Sequence, residues 1–336
     1  MTYKVITAPA DGTVKVTSTG AFTYTPTVAA RLAAALTSGS TDTFTVVATN
    51  GLATTAQTVT VPVSGEVNAS VALKMVYGTE PVIHISVNGG PSVPVLVDTG
   101  SVGLVITSKY VGTQQDLGTS TGSGASGYSG GLSYTFDTYT TTVDFGNGIV
   151  SGPTSVDIVS AASQSAFASF AARDGVVGIL GIGPNSYGPG PSSVISALPG
   201  DLNYGVLIDE QDGLLEFGPN PRSALVTLSA APWTTLEVQV GTGVVTQVLT
   251  VIDSGGVYGT IPSSLVGGGS SVPVGTVIKV YTSDGATLLY SYTTTSGNRP
   301  TVTSDTYMNS GTAPFALGPI YISYTGSSAG QTIFDV

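Results

Sequence analysis

Two aspartates each close an apolar run and open a hydroxyl-glycine turn: Asp98-Thr99-Gly100 follows "VPVLV", and Asp253-Ser254-Gly255 follows "VLTVI". Only 9% of the residues are charged, so a carboxylate at the end of a hydrophobic strand is either a misplaced turn residue or a group whose ionisation is controlled. A strand that ends at Asp and turns through Ser/Thr-Gly presents the carboxylate at a rigid loop tip, with backbone amides near its oxygens and Gly permitting close approach. If two such loops meet across a pseudo-twofold axis, the two carboxyls cannot both ionise cheaply and one proton is shared. That pair is an acid and a base in one place. The ionised member takes a proton from water while the protonated member polarises a peptide carbonyl, giving hydrolysis without metal, cofactor or covalent intermediate. Asp98 and Asp253 are therefore the expected catalytic residues.

The composition narrows the partners. With 336 residues and 41% hydrophobic side chains the chain can bury a substantial core. Nine Lys plus Arg against 20 Asp plus Glu leave no basic surface for nucleic acid or anionic lipid. No stretch reaches the roughly 20 apolar residues of a membrane span. The opening "MTYKVITAPADG" lacks the apolar segment of a secretory signal, so Met1 reads as the start of an excised piece. Zero Cys excludes disulfides and thiolate chemistry, and a single His with no Cys argues against a transition-metal site. Abundant Gly, Ser and Thr suit an exposed, loop-rich surface protein.

The elements that must position the aspartates are strands. Residues 11–63 read as short alternating strands, "GTVKVT", "AFTYTP", "TDTFTVVAT" and "TAQTVTVPV", interrupted by one Ala-rich helix, "VAARLAAAL". A small Ig-like sandwich over residues 1–65 is expected, and its pattern resembles the cadherin-like or VCBS-type modules of bacterial surface proteins. "SGEVNAS", residues 64–70, marks the boundary with a second domain over residues 66–336. There the strands continue, with helical period only in "SAFASFAA" and "SSVISAL". "STGSGASGYSGG", residues 120–131, reads as a mobile loop carrying Tyr128 as its one bulky side chain. The fold class is all-β.

The second region resembles the pepsin-like aspartic proteases, whose two β lobes each carry a D-T/S-G loop backed by an apolar-apolar-Gly strand. "DGVVGILGIG", residues 174–183, and "PFALGPIYISYTG", residues 314–326, resemble those two supporting strands, placing Leu180, Gly181, Leu317 and Gly318 in the core. "YSGG" matches the flap turn through Tyr128, Ser129 and Gly130, with "DTYTTTVDFGNG" as the returning strand. "GLLEFGPNP" resembles the strand closing the first half. The resemblance implies lobes over about residues 71–222 and 223–336. Thr99, Gly100, Ser101, Ser254 and Gly255 would support the active-site loops, with Thr99 and Ser254 bracing them across the axis. A protease without Cys behind a VCBS-like module is similar to the protease region of mycobacterial PE-PGRS surface proteins. That resemblance implies export by the type VII route through an absent upstream domain, a secreted or surface location, a monomer, and PE-family polypeptide substrates that include the protein's own upstream segment.

Two departures and two rival readings qualify this pattern. Gly256 stands where the family carries Ser or Thr, so Asp253 is expected to lack one hydrogen bond to its charged form, favouring the protonated dyad. Trp233 lies between the lobes, so the usual Trp beside the flap Tyr is missing. "DSGG" also resembles the nucleophile segment of chymotrypsin-like serine proteases, with Ser254 as nucleophile and His84 upstream as base. A catalytically silent pepsin-like fold used for binding or adhesion is the non-enzymatic alternative.

Overall fold

The computed structural model describes residues 1–336 apart from 38, 66, 67 and 130 and the side chains of 36, 114 and 115. Residues 66 and 67 of the expected boundary, and Gly130 of the expected flap turn, therefore lie outside the described residues. Two compact units are present: Met1–Ala69 with Asn147–Ile149, and Ser70–Gly146 with Val150–Val336.

In the first unit, Thr41–Thr49 is the middle strand of a three-stranded antiparallel sheet between Thr2–Thr7 and Thr54–Pro62. Thr2–Thr7 is a strand that the sequence pattern does not announce. Gly12–Val16 and Phe22–Pro26 form a separate hairpin, and Phe22 meets Phe44 edge-on at 5.1 Å between ring centres. The helix Val28–Leu36 starts where the Thr27 side chain accepts from the Ala30 amide at 3.1 Å, and it ends as Thr37 turns extended. Asp42 is buried yet accepts from the amides of Ala10, Asp11 and Thr43 and from the Tyr24 hydroxyl. Burial alone would push its carboxyl up, but those donors together hold it below the usual range.

The second unit contains three sheets. In the first, the strand Val93–Asp98 lies between Glu80–Val87 and Gly178–Ile182, and Val102–Thr107 lies on the far side of Gly178–Ile182. The pairing of Gly178–Ile182 with Val93–Asp98 is parallel and places Gly181 opposite Asp98. Strands buried on both faces read as unbroken apolar runs, which is why Val95, Val97, Leu104, Val105, Ile106, Leu180 and Ile182 have no exposed surface. The second sheet repeats the arrangement: Thr246–Val251 lies between Trp233–Val240 and the parallel strand Tyr307–Asn309. A third, six-stranded sheet takes Gly205–Asp209 and Leu214–Phe217 from one half and Ala224–Leu228, Ile320–Ser323 and Gln331–Asp335 from the other. It ties together the two halves that carry the aspartates.

Two expectations are corrected. The Gly/Ser-rich stretch is no loop, because Gly122–Tyr128 is a strand paired residue for residue with Leu132–Thr138. Its small side chains hide the strand period, while the backbone groups are satisfied by the partner strand. The return strand accordingly begins at Leu132 instead of Asp137. The second supporting strand is Tyr307–Asn309, not residues 314–326: Ala313–Leu317 is a short helix and Ile320–Ser323 belongs to the six-stranded sheet. Leu317 is 53% exposed and so is not core.

Glu80, the first residue of its strand, is buried with Oε2 unpartnered among the described residues. Burial, and then the charge of Asp174, push its carboxyl from 4.5 to about 7. The folded chain thus holds this proton more tightly than the unfolded chain. The stability contributed is complete below 4.5 and is lost as pH rises through about 7. Asp157, raised to about 6 mainly by burial, and Glu210, raised to about 7 by burial, act in the same direction. The melting temperature should fall between about pH 4 and pH 7, and Glu80→Gln should flatten part of that fall. An unchanged slope in the variant would contradict the assignment.

Candidate active site

Each aspartate is held from its own loop. The Gly100 amide donates to Asp98 Oδ1 at 2.7 Å, and Ser101 Oγ donates to Oδ2 at 2.5 Å. In the second loop the Gly255 amide donates to Asp253 Oδ1 at 3.1 Å. Here the sequence expectation fails in an informative way. Asp253 Oδ2 does not lack a donor, because Asn309 Nδ2 reaches it at 2.5 Å from the supporting strand. Ser310 Oγ accepts from the Asp253 backbone amide at 3.0 Å, anchoring the loop to the same strand.

The loops are braced against each other by four buried hydrogen bonds. Thr99 Oγ1 donates to the Ile252 carbonyl at 2.6 Å and accepts from the Ser254 amide at 2.9 Å. Ser254 Oγ donates to the Val97 carbonyl at 2.7 Å and accepts from the Thr99 amide at 3.1 Å. Thr99 and Ser254 have no exposed surface, so these hydroxyls have no competing solvent. The brace brings the carboxyls so close that the glycines become obligatory. A methyl group on Gly100 would lie 2.6 Å from Asp253 Cγ, and one on Gly255 would lie 3.0 Å from Asp98 Oδ1.

Asp98 is 6% exposed and Asp253 is 8% exposed. Burial, and then the neighbouring Asp253 charge, hold the Asp98 carboxyl well above its ordinary value despite the Ser101 and Gly100 donors. Two carboxyls in one dry site bind a proton between them more readily than either does alone.

Both face a cleft of about 310 Å³. Its walls come from remote parts of the chain, among them Leu96, Phe170, Ile179, Tyr187, Trp233 and Tyr307. These residues carry no local sequence signal, and only the fold gathers them. Tyr128 closes the cleft from the tip of its hairpin, with Ser126, Gly127 and Ser129 also lining it. No Trp steadies the Tyr128 ring; it stacks instead between Tyr134 and Phe170, at 5.9 Å from each. Burial, then Tyr134 and Asp98, push its phenol well above the ordinary range, so it remains a neutral donor. The Tyr128 hydroxyl is buried near the Tyr134 and Ser101 side chains without a well-formed hydrogen bond to either. Trp233 lies in this cleft, with its ring against Tyr307 at 5.1 Å.

The serine-protease reading does not survive. Ser254 is fully buried and its hydroxyl is committed to the Val97 carbonyl, whereas His84 projects from its strand as an exposed residue opposite Pro94. Neither could meet a substrate in the manner of a nucleophile and its base.

Comparison with known proteins points in the same direction as this geometry. The profile of the PE-PGRS C-terminal aspartyl peptidase-like domain matches residues 69–332. The chain is 47% identical over 289 residues to PE cleavage protein A of Mycobacterium tuberculosis, covering 79% of this chain and 51% of that protein. The Mycobacterium marinum protein of the same name is 45% identical over 289 residues, covering 80% and 52%. The chain thus spans about half the length of the curated relatives it matches. Among solved structures, the aspartic proteinase of Irpex lacteus superposes with a TM-score of 0.54 at 15% identity, covering 80% of this chain and 97% of that one. The second unit therefore has the pepsin-like, mostly β fold. With paired Asp loops, a hydroxyl brace and the matching profile, the chain belongs to the family of PE-PGRS C-terminal aspartyl peptidase-like domains.

Proposed function

We propose that this chain is an aspartic endopeptidase in which Asp98 and Asp253 share one proton and activate a water against a peptide bond. The observation that carries this reading is the joint envelope of the carboxyls: two buried aspartates, each with its own donors, held together by the Thr99–Ser254 brace. The ionised carboxylate removes a proton from water as the oxygen attacks the carbonyl carbon, and the other carboxyl gives its proton to the carbonyl oxygen. The resulting diol collapses as a proton passes to the leaving nitrogen, which restores the shared-proton state. Tyr128, Ser129 and Gly130 act as the flap, with Tyr128 lining the cleft where a substrate backbone would lie.

The substrates proposed are polypeptides of the PE family, including this protein's own upstream segment. Support comes from the name of the 47%-identical relative. Residues 1–65 are proposed as a VCBS/cadherin-like module on a monomeric protease of residues 66–336, with lobes over about 71–222 and 223–336. A secreted or cell-surface location after type VII export is proposed with it. Among the described residues no helix is long and apolar enough to cross a membrane. The test is to incubate the chain, and its Asp253→Asn variant, with a PE-family polypeptide and to map the products by mass spectrometry. Discrete cleavage by the wild type alone is expected. Equal cleavage by both would overturn the mechanism, and cleavage of unrelated unfolded polypeptides but not of the PE polypeptide would overturn the substrate assignment.

A further inference from the structure

We propose that Asn309 is a positioning residue for Asp253, supplying from the supporting strand the hydrogen bond that the loop residue Ser101 supplies to Asp98. The inference rests on the reading of Asp98 and Asp253 as the catalytic pair and concerns how the second member is held.

The two halves solve one problem differently. In the first, Ser101 stands three residues after the aspartate and its hydroxyl meets Oδ2. At the corresponding place in the second stands Gly256. A side chain there would begin 2.4 Å from Asn309 Oδ1 and 2.9 Å from Asp253 Oδ2, so the space that a loop hydroxyl needs is already occupied by the Asn309 amide. That amide is oriented by its other end. Asn309 Oδ1 accepts from the Gly311 amide at 2.8 Å, which turns Nδ2 toward Asp253 Oδ2. An amide nitrogen only donates, so it suits a carboxylate oxygen, whereas a hydroxyl can also accept.

Strand register shows which position of the first half corresponds to the donor. Gly181 pairs with Asp98 in the first sheet, and extending the Val251–Asn309 pairing by two residues sets Gly311 beside Asp253. Counting back two residues, Asn309 occupies the place that buried Ile179 holds in the first half. Ile179 has no donor, and Ser101 fills the need there. Glycine in the loop and Asn on the strand are thus a matched pair, the reverse of Ser in the loop and Ile on the strand. The titratable groups that interact with the dyad from neighbouring elements are Glu80, Tyr307, Tyr128 and Tyr134, with Asp174 lining the same cleft, and none of them belongs to the pair.

The experiment measures kcat/KM from about pH 3 to 7, together with melting temperature, for five forms: wild type, Asn309→Ala, Gly256→Ser, the Gly256→Ser/Asn309→Ala double variant and Asp98→Asn. Asn309→Ala should lose roughly 10- to 100-fold, the range for a hydrogen bond to a charged group, with its acid limb moved to higher pH because the carboxylate has lost a donor. Gly256→Ser alone should also lose activity, since its side chain displaces the amide. The double variant recreates the first half's arrangement and should recover rate and acid limb to within about fivefold of wild type. Asn309→Ala within about twofold of wild type across the range would overturn the inference. So would a double variant no more active than Asn309→Ala, including one that regains melting temperature without activity. If the wild type is no more active than Asp98→Asn, the dyad reading itself fails; an inactive Asp98→Asn beside a normal Asn309→Ala sinks only the role of Asn309.

Discussion

Asp98→Asn should abolish peptide hydrolysis, by about 10³-fold or more, while leaving the melting temperature equal to wild type or higher. An amide at this position keeps the Gly100 donor on its oxygen and turns the Ser101 hydroxyl into an acceptor for its nitrogen, but it neither gives up nor shares a proton. The pair is then no longer an acid and a base. Stability should not suffer, because Asp98 is buried beside a second carboxyl whose charge opposes its ionisation. A neutral side chain removes that conflict. The combination of lost activity with an undiminished melting temperature separates a chemical role from a structural one. Loss of both would mean that Asp98 mainly holds the fold together.

Gly100→Ala should have the next largest effect, a loss of about 10²-fold or more, the scale expected when a reacting group is displaced by roughly 1 Å. The added methyl would sit 2.6 Å from Asp253 Cγ and Oδ1 and 2.7 Å from Oδ2, so the opposite carboxyl must move. That carboxyl is held by Gly255 and Asn309, and moving it stretches both bonds. The loops cannot separate to make room, because the Thr99–Ser254 brace fixes their spacing. Gly297→Ala, where the nearest atom to the new methyl is 4.0 Å away, serves as the control and should behave as wild type. An active Gly100→Ala would mean that the carboxyls do not approach each other as closely as described.

Sequence alone exposes the first half of the site well, and for a physical reason. Strands buried on both faces must be apolar throughout, so "VPVLV" and "GILGI" stand out, and an Asp or Gly at their ends is conspicuous. The hydroxyls of Thr99 and Ser254 follow from the same tripeptides. The second half is less legible because its supporting strand, Tyr307–Asn309 followed by Ser310 and Gly311, carries polar residues where the first carries Ile179 and Leu180. A search for apolar-apolar-Gly passes over it and stops at Leu317-Gly318, which ends a short helix. The departure at Gly256 was the available signal. A missing donor beside a buried carboxylate demands a replacement, and a polar residue on an otherwise apolar strand is where to look for it. The hairpin strand Gly122–Tyr128 was hidden because Gly and Ser show no alternation, although its backbone pairing is complete. Trp233, Tyr187 and Phe170 are scattered along the chain and become neighbours of the dyad only through the fold.

The most direct measurement is the pH dependence of kcat/KM for one peptide, taken side by side for the wild type and Asp98→Asn. A shared proton requires one carboxyl ionised and one protonated, so the wild type should give a bell-shaped profile with its maximum on the acid side of neutrality, and the variant no activity above background at any pH. A wild-type rate that climbs to a plateau at alkaline pH, or a variant that retains it, would contradict the dyad.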